Sequence, residues 1–230
     1  MATAHQVQRE SRVRTLHNGD RMNRREFHVA YCQMPESYKA ELIGGIVFEP
    51  SPLGWSHGTS HVSLGSLLHR YAIRTPGVEV GDNASVFLSD EDEVQPDLVL
   101  RTVQMCGGTS RLTDDDYVEG PPELVAEVAS SSRAIDLHLK KERYALAGVR
   151  EYIVLCLCPK QLYWFDLQRQ VELKPDKNGI FRSVIFPGLW IHGEGLLQGE
   201  HELTARALDR GLRSADHKRF VCQLKRKREK

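Results

Sequence analysis

The stretch Leu124-Val125-Ala126-Glu127-Val128-Ala129 constrains this chain more than any other. Five apolar residues after Pro121-Pro122 read as a strand, and one acid stands in their midst. A lone ionised carboxylate in such a strand is costly unless something positive meets it. Alternation puts Val125, Glu127 and Ala129 on one face and Leu124, Ala126 and Val128 on the other. A helix over 133–147 follows at once, then a strand over 151–157.

The rest of the chain sorts around this unit. Residues 38–52 read as two strands about Gly44-Gly45, and 57–75 as a helix with a Val62, Leu64, Leu67, Leu68, Tyr71 stripe. Strands are predicted around an Asp-Asn turn in 78–90 and over 94–101. Residues 102–120 form a polar loop. The hairpin-like 161–174 and strand-like 179–191 precede a polar helical tail. The predicted class is α/β, a central mixed sheet flanked by helices with a β-rich N-terminal segment. Three parts are expected: a mobile extension over 1–28, a domain over 29–195, and a polar tail over 196–230 that ends in basic residues.

Asp97 follows Pro96 at the start of Leu98-Val99-Leu100, an acid at the mouth of a second apolar strand. If the two strands pair, Asp97 and Glu127 meet at one sheet edge; otherwise they are two unrelated surface acids. Adjacent carboxylates repel, and a hard dication such as Mg²⁺ removes that cost. On the helix, Asp136, Lys140 and Tyr144 recur every four residues and share a side. That is either a solvated ion pair or a lysine reaching back toward metal-bound water. Ile135, Leu139 and Leu146 are the packing stripe, Ser131 or Ser132 the N-cap, and Gly148 the C-terminal stop.

Taken in order, Asp97 in "QPD", Glu127 in "PPELVAEVASSS", the Asp136/Lys140/Tyr144 series and "AGVREYIV" resemble the Uma-two family of restriction-like endonucleases in the PD-(D/E)XK superfamily. The resemblance runs from about residue 40 to 190. The superfamily's usual lysine position, two after the Glu, is Ala129 here, so the resemblance implies a lysine migrated to Lys140. It further implies Mg²⁺, with Mn²⁺ as a substitute, held by Asp97, Glu127 and the Val128 carbonyl. Lys140 would act on the attacking water or the phosphate. Glu41 in "AELIGG" and His57 also match the family pattern, with Asp136 and Tyr144 as further auxiliaries. DNA is the implied partner and a homodimer the implied assembly. The implied activity is metal-dependent endonuclease cleavage; the alternative is an inactive nuclease fold serving as a nucleic-acid-binding or regulatory module.

Composition bounds these readings. Lysines and arginines equal acids at 31 each, so no global positive field draws nucleic acid. Arg101, Arg133, Lys141 and Arg143 are the candidates for a local basic groove. No apolar run approaches the ~18 residues of a membrane span, and no secretory h-region opens the chain, so the cytoplasm is expected. Five irregularly spaced cysteines argue against a disulfide framework. His57 and His61 have the i, i+4 spacing of zinc ligands, but Gly58 stands where the metalloprotease motif needs Glu.

Overall fold

The structure is a computed structural model that describes residues 15–229. Its first half contains α1 (Arg24–Tyr31), β1 (Glu41–Ile43), β2 (Ile46–Phe48), α2 (Trp55–Ile73), β3 (Val78–Asp82), β4 (Val86–Ser89), β5 (Asp92–Val94), β6 (Leu98–Thr102), β7 (Arg111–Leu112) and β8 (Val118–Glu119). Next come β9 (Leu124–Ala129), a π-helical turn (Ile135–Lys140), α3 (Lys141–Ala147), β10 (Glu151–Leu157), β11 (Lys160–Asp166) and β12 (Val171–Leu173). The chain closes with β13 (Ile180–Arg182), β14 (Trp190–His192), α4 (Gly193–Gln198), α5 (His201–Leu212) and α6 (Ala215–Arg228).

These strands build two mixed six-stranded sheets where one central sheet was expected. The first has the order β2-β1-β5-β4-β8-β7 and the second β12-β11-β10-β9-β6-β3, with β13 and β14 forming a separate hairpin. The short strands β5, β7 and β8 lack a sequence period long enough to read, which is why the first sheet went unseen. Gly44 and Gly45, at φ 59° and 73°, close the β1–β2 hairpin with the two left-handed residues a tight turn requires.

The alternation in β9 fixes what packs where. Leu124, Ala126 and Val128 face a core with Leu64, Leu68 and Tyr71 of α2 and Leu208 of α5. Val125 and Ala129 face a second core with Ile43 and Val86 of the first sheet and Tyr144 and Tyr152. Glu127 therefore points toward the first sheet and α3. On α2 the predicted stripe holds except for Val62, which is 71% exposed. Leu146 is likewise exposed, and α3 packs instead through Tyr144.

Both ends of the described residues join the fold. Leu16, Met22 and Phe27, in the segment read as a mobile extension, are buried against Leu42 and Val47; residues 1–14 of that segment lie outside the described residues. The segment read as a polar tail supplies Leu196, Leu208, Leu212 and Leu224 to the main core. Its apolar residues are spaced too thinly among charges to stand out as a stripe. Among the described residues no helix is long and apolar enough to cross a membrane.

Candidate functional site

Strands β6 and β9 pair antiparallel, Leu98 opposite Ala126 and Leu100 opposite Leu124, which brings Asp97 beside Glu127. Each carboxylate accepts a backbone N–H from the other's strand. Val128 donates to Asp97 Oδ2 at 2.7 Å, and Asp97 donates to Glu127 Oε2 at 3.2 Å. The pairing anticipated from two acids at strand mouths is therefore present.

The cation facing Glu127 is Lys140. Its Nζ lies 2.9 Å from Glu127 Oε1 and 2.7 Å from Glu41 Oε2. The Tyr144 hydroxyl donates to the same Glu127 oxygen at 2.9 Å. Glu41 Oε1 accepts the Gln95 N–H at 2.8 Å, so Glu41 bridges the lysine and the segment leading to Asp97. Lys140 ends a π-helical turn, a geometry that recurs at functional sites. Asp136 takes a hydrogen bond from Ser132 Oγ at 2.6 Å, so Ser132 serves Asp136 rather than capping the helix.

Burial and charge set the protonation pattern. Burial pushes Glu127 up, to about 8, against the pull of Lys140; Asp136, Asp97 and Glu41 add in the same direction. Burial alone would lower Lys140, but Glu127, Glu41 and Asp136 outweigh it and hold the ammonium charged. Burial also raises Asp136 despite Lys140. Burial would raise Asp97 as well, yet His57, the Val128 N–H and His61 hold it below the usual carboxylate range. The hydrogen bond to Asp97 in turn raises His57.

The structure thus brings together all seven side chains named from sequence: Glu41, His57, Asp97, Glu127, Asp136, Lys140 and Tyr144. Val128 joins them through its backbone N–H, which donates to Asp97. For an Mg²⁺ ion the oxygen donors fit. Among the described residues Asp97 Oδ1 has no hydrogen bond shorter than its 3.7 Å approach to His61, and Glu127 Oε2 accepts only one N–H, so each keeps lone-pair capacity. Sequence reasoning weighed the His57/His61 spacing for zinc, set it aside, and did not name Asp82; both His61 and Asp82 stand next to Asp97.

Each residue named for a local basic groove has a partner within the chain. Arg101 is paired with Glu79, and Arg143 with Asp92 and Glu91, while the Lys141 ammonium lies 4.5 Å over the Phe165 ring. Arg133 bonds the Tyr163 hydroxyl. What does open beside the site is a groove of about 1020 Å³ lined by His57, His61, Leu155, Leu196 and His201. Trp55, 87% exposed, stands on its rim.

Comparison with known proteins gives one family match and a likeness of fold. Residues 25–196 match the profile of a family described as Uma2, putative restriction endonuclease. A crystal structure of a putative nuclease belonging to DUF820 from Anabaena variabilis superposes with a TM-score of 0.53 over 80% of this chain and 97% of that one. The two chains are 13% identical, so the likeness is one of fold. No curated protein matches the chain.

Proposed function

Because the chain belongs to the Uma2 family of putative restriction endonucleases, we propose that it hydrolyses phosphodiester bonds of DNA at the Asp97–Glu127–Lys140 cluster. The observation that carries this reading is the buried Lys140 ammonium held between Glu41 and Glu127 at the edge where β6 and β9 deliver two acids. Asp97, Glu127 and the Val128 carbonyl would hold a dication, Mg²⁺ or Mn²⁺, which supplies positive charge to the phosphate and acidifies a water.

The chain's own groups do the rest. His57 and the Val128 N–H keep Asp97 ionised and turned toward the site. Tyr144 fixes the rotamer of Glu127. Lys140, kept charged, orients the attacking water or neutralises phosphate charge as it develops. Glu41 holds the ammonium in place. A homodimer, one site per DNA strand, belongs to this reading. One observation favours a second: both close contacts of Lys140 are carboxylates of the chain, as in a nuclease fold kept for binding or regulation.

The test is plasmid cleavage with Mg²⁺ or Mn²⁺ against EDTA, with folding of each variant checked by circular dichroism. We expect metal-dependent nicking, reduced by about 10²–10⁴-fold in each of Asp97→Ala, Glu127→Ala and Lys140→Ala. Failure of the unmutated protein to cut duplex, single-stranded or branched DNA with either ion overturns the reading.

A further inference from the structure

Two imidazoles converge on the Asp97 carboxylate. His57 and His61 stand one turn apart on α2; His57 Nε2 is 3.4 Å from Asp97 Oδ2, and His61 Nδ1 is 3.7 Å from Asp97 Oδ1. One ligand atom from each of the three residues lies within 4.8 Å of the others, the one such grouping of metal-ligating side chains among the described residues. The rings cross at 81° with centroids 6.0 Å apart, so they approach Asp97 from two directions without stacking. A tetrahedral ion with bonds of ~2.0–2.2 Å separates its ligands by roughly 3.3–3.6 Å, a closure that small side-chain rotations supply.

A second observation points the same way. The other ring nitrogen of His61, Nε2, lies 2.6 Å from Asp82 Oδ1. A carboxylate on the distal nitrogen fixes the tautomer and aims the remaining lone pair, the arrangement by which proteins orient a ligating histidine. Asp82 ends β3 with its side chain 69% exposed, and the same Oδ1 also accepts the Asn83 side-chain amide at 2.9 Å. Both histidines also line the 1020 Å³ groove, which leaves coordination positions open to water or a ligand oxygen.

We propose that His57, His61 and Asp97 form a binding site for a first-row transition-metal dication, with Asp82 as the residue that positions His61. Two imidazole nitrogens and one carboxylate select Zn²⁺, Co²⁺ or Mn²⁺ over Mg²⁺, which prefers oxygen donors. The site shares Asp97 and His57 with the nuclease cluster but needs neither Glu127 nor Lys140, so the two readings can be tested apart.

The experiment uses untagged, chelator-stripped full-length protein titrated with Co²⁺ and followed by visible d–d absorption. We expect one equivalent bound per chain, displaced by Zn²⁺ and not by millimolar Mg²⁺. His61→Ala should weaken binding at least about 100-fold and Asp82→Asn about 10-fold, within the range for lost orienting partners. Glu127→Gln should leave the spectrum unchanged. No Co²⁺ band, equal competition by Mg²⁺, or unaltered binding in both His61→Ala and Asp82→Asn overturns the site. Asp82→Asn, at an exposed position, keeps the test valid if His61→Ala misfolds. Mg²⁺-supported cleavage that persists where Co²⁺ binding is absent sinks this site alone; Co²⁺ binding without cleavage by any ion sinks the nuclease reading alone.

Discussion

Lys140 is 6% exposed and faces Glu127, Glu41 and Asp136, so its removal leaves buried acids without a counter-charge. Breaking a buried ion pair from one side costs about 3–5 kcal/mol. Lys140→Met should therefore lower the free energy of unfolding in urea by that amount. Adding Glu127→Gln should recover part of it, with a coupling of roughly 1–3 kcal/mol between the two changes. Simple additivity would disprove the pairing as an energetic unit. Glu127 and Asp97 were legible because each broke a local rule, one interrupting an apolar strand and the other opening one; Glu41, His57 and the role of Lys140 came from the family resemblance. His61 and Asp82 broke none. Histidines four apart on a helix are ordinary, and the Asp82 contact exists only after β3 folds against α2.

The helix after β9 shows where reading by period fails. Asp136, Lys140 and Tyr144 fit an α-helical repeat, yet residues Ile135–Lys140 form a π-helical turn. The Tyr152 hydroxyl donates to the Asp136 carbonyl at 3.1 Å, occupying the acceptor that an α-helix assigns to the Lys140 N–H. That partner lies on β10 and leaves no trace in the local pattern. Helix α6 was read as part of a polar tail for a similar reason, since its docking rests on one histidine as much as on apolar residues. His217 is buried, with Nε2 at 2.9 Å from Thr75 Oγ1 and Nδ1 at 2.9 Å from the Leu212 carbonyl. Burial and Arg74 lower its pKa against the pull of that carbonyl. The unfolded chain thus takes the proton more readily, so stability from neutral His217 is complete above about pH 6.5 and is lost as pH falls through the folded value. Thermal melts between pH 7.5 and 5 should show this loss, with a shallower slope in His217→Gln. Equal slopes would remove His217 as the cause.

At the scale of the whole molecule, two sheets share one interior, and charged side chains from the segment after β9 tie them together. Arg143 Nε and Nη2 reach Asp92 of β5 at 2.5–3.0 Å, and Asp92 also accepts the Gly44 N–H. Asp92→Ala should cost about 2–4 kcal/mol by urea denaturation, somewhat below the range for a fully buried pair because the guanidinium keeps partial exposure. An unchanged midpoint would refute the tie. The second sheet was largely readable, since β9, β10 and β11 are long and apolar; of the first only the β1–β2 hairpin and the region of β4 were, because β5, β7 and β8 run two or three residues and gain identity only from their neighbours. Lys140 makes the other tie, from Glu41 on β1 to Glu127 on β9. Removing that lysine would unfasten the two sheets from one another, whatever chemistry the cluster performs.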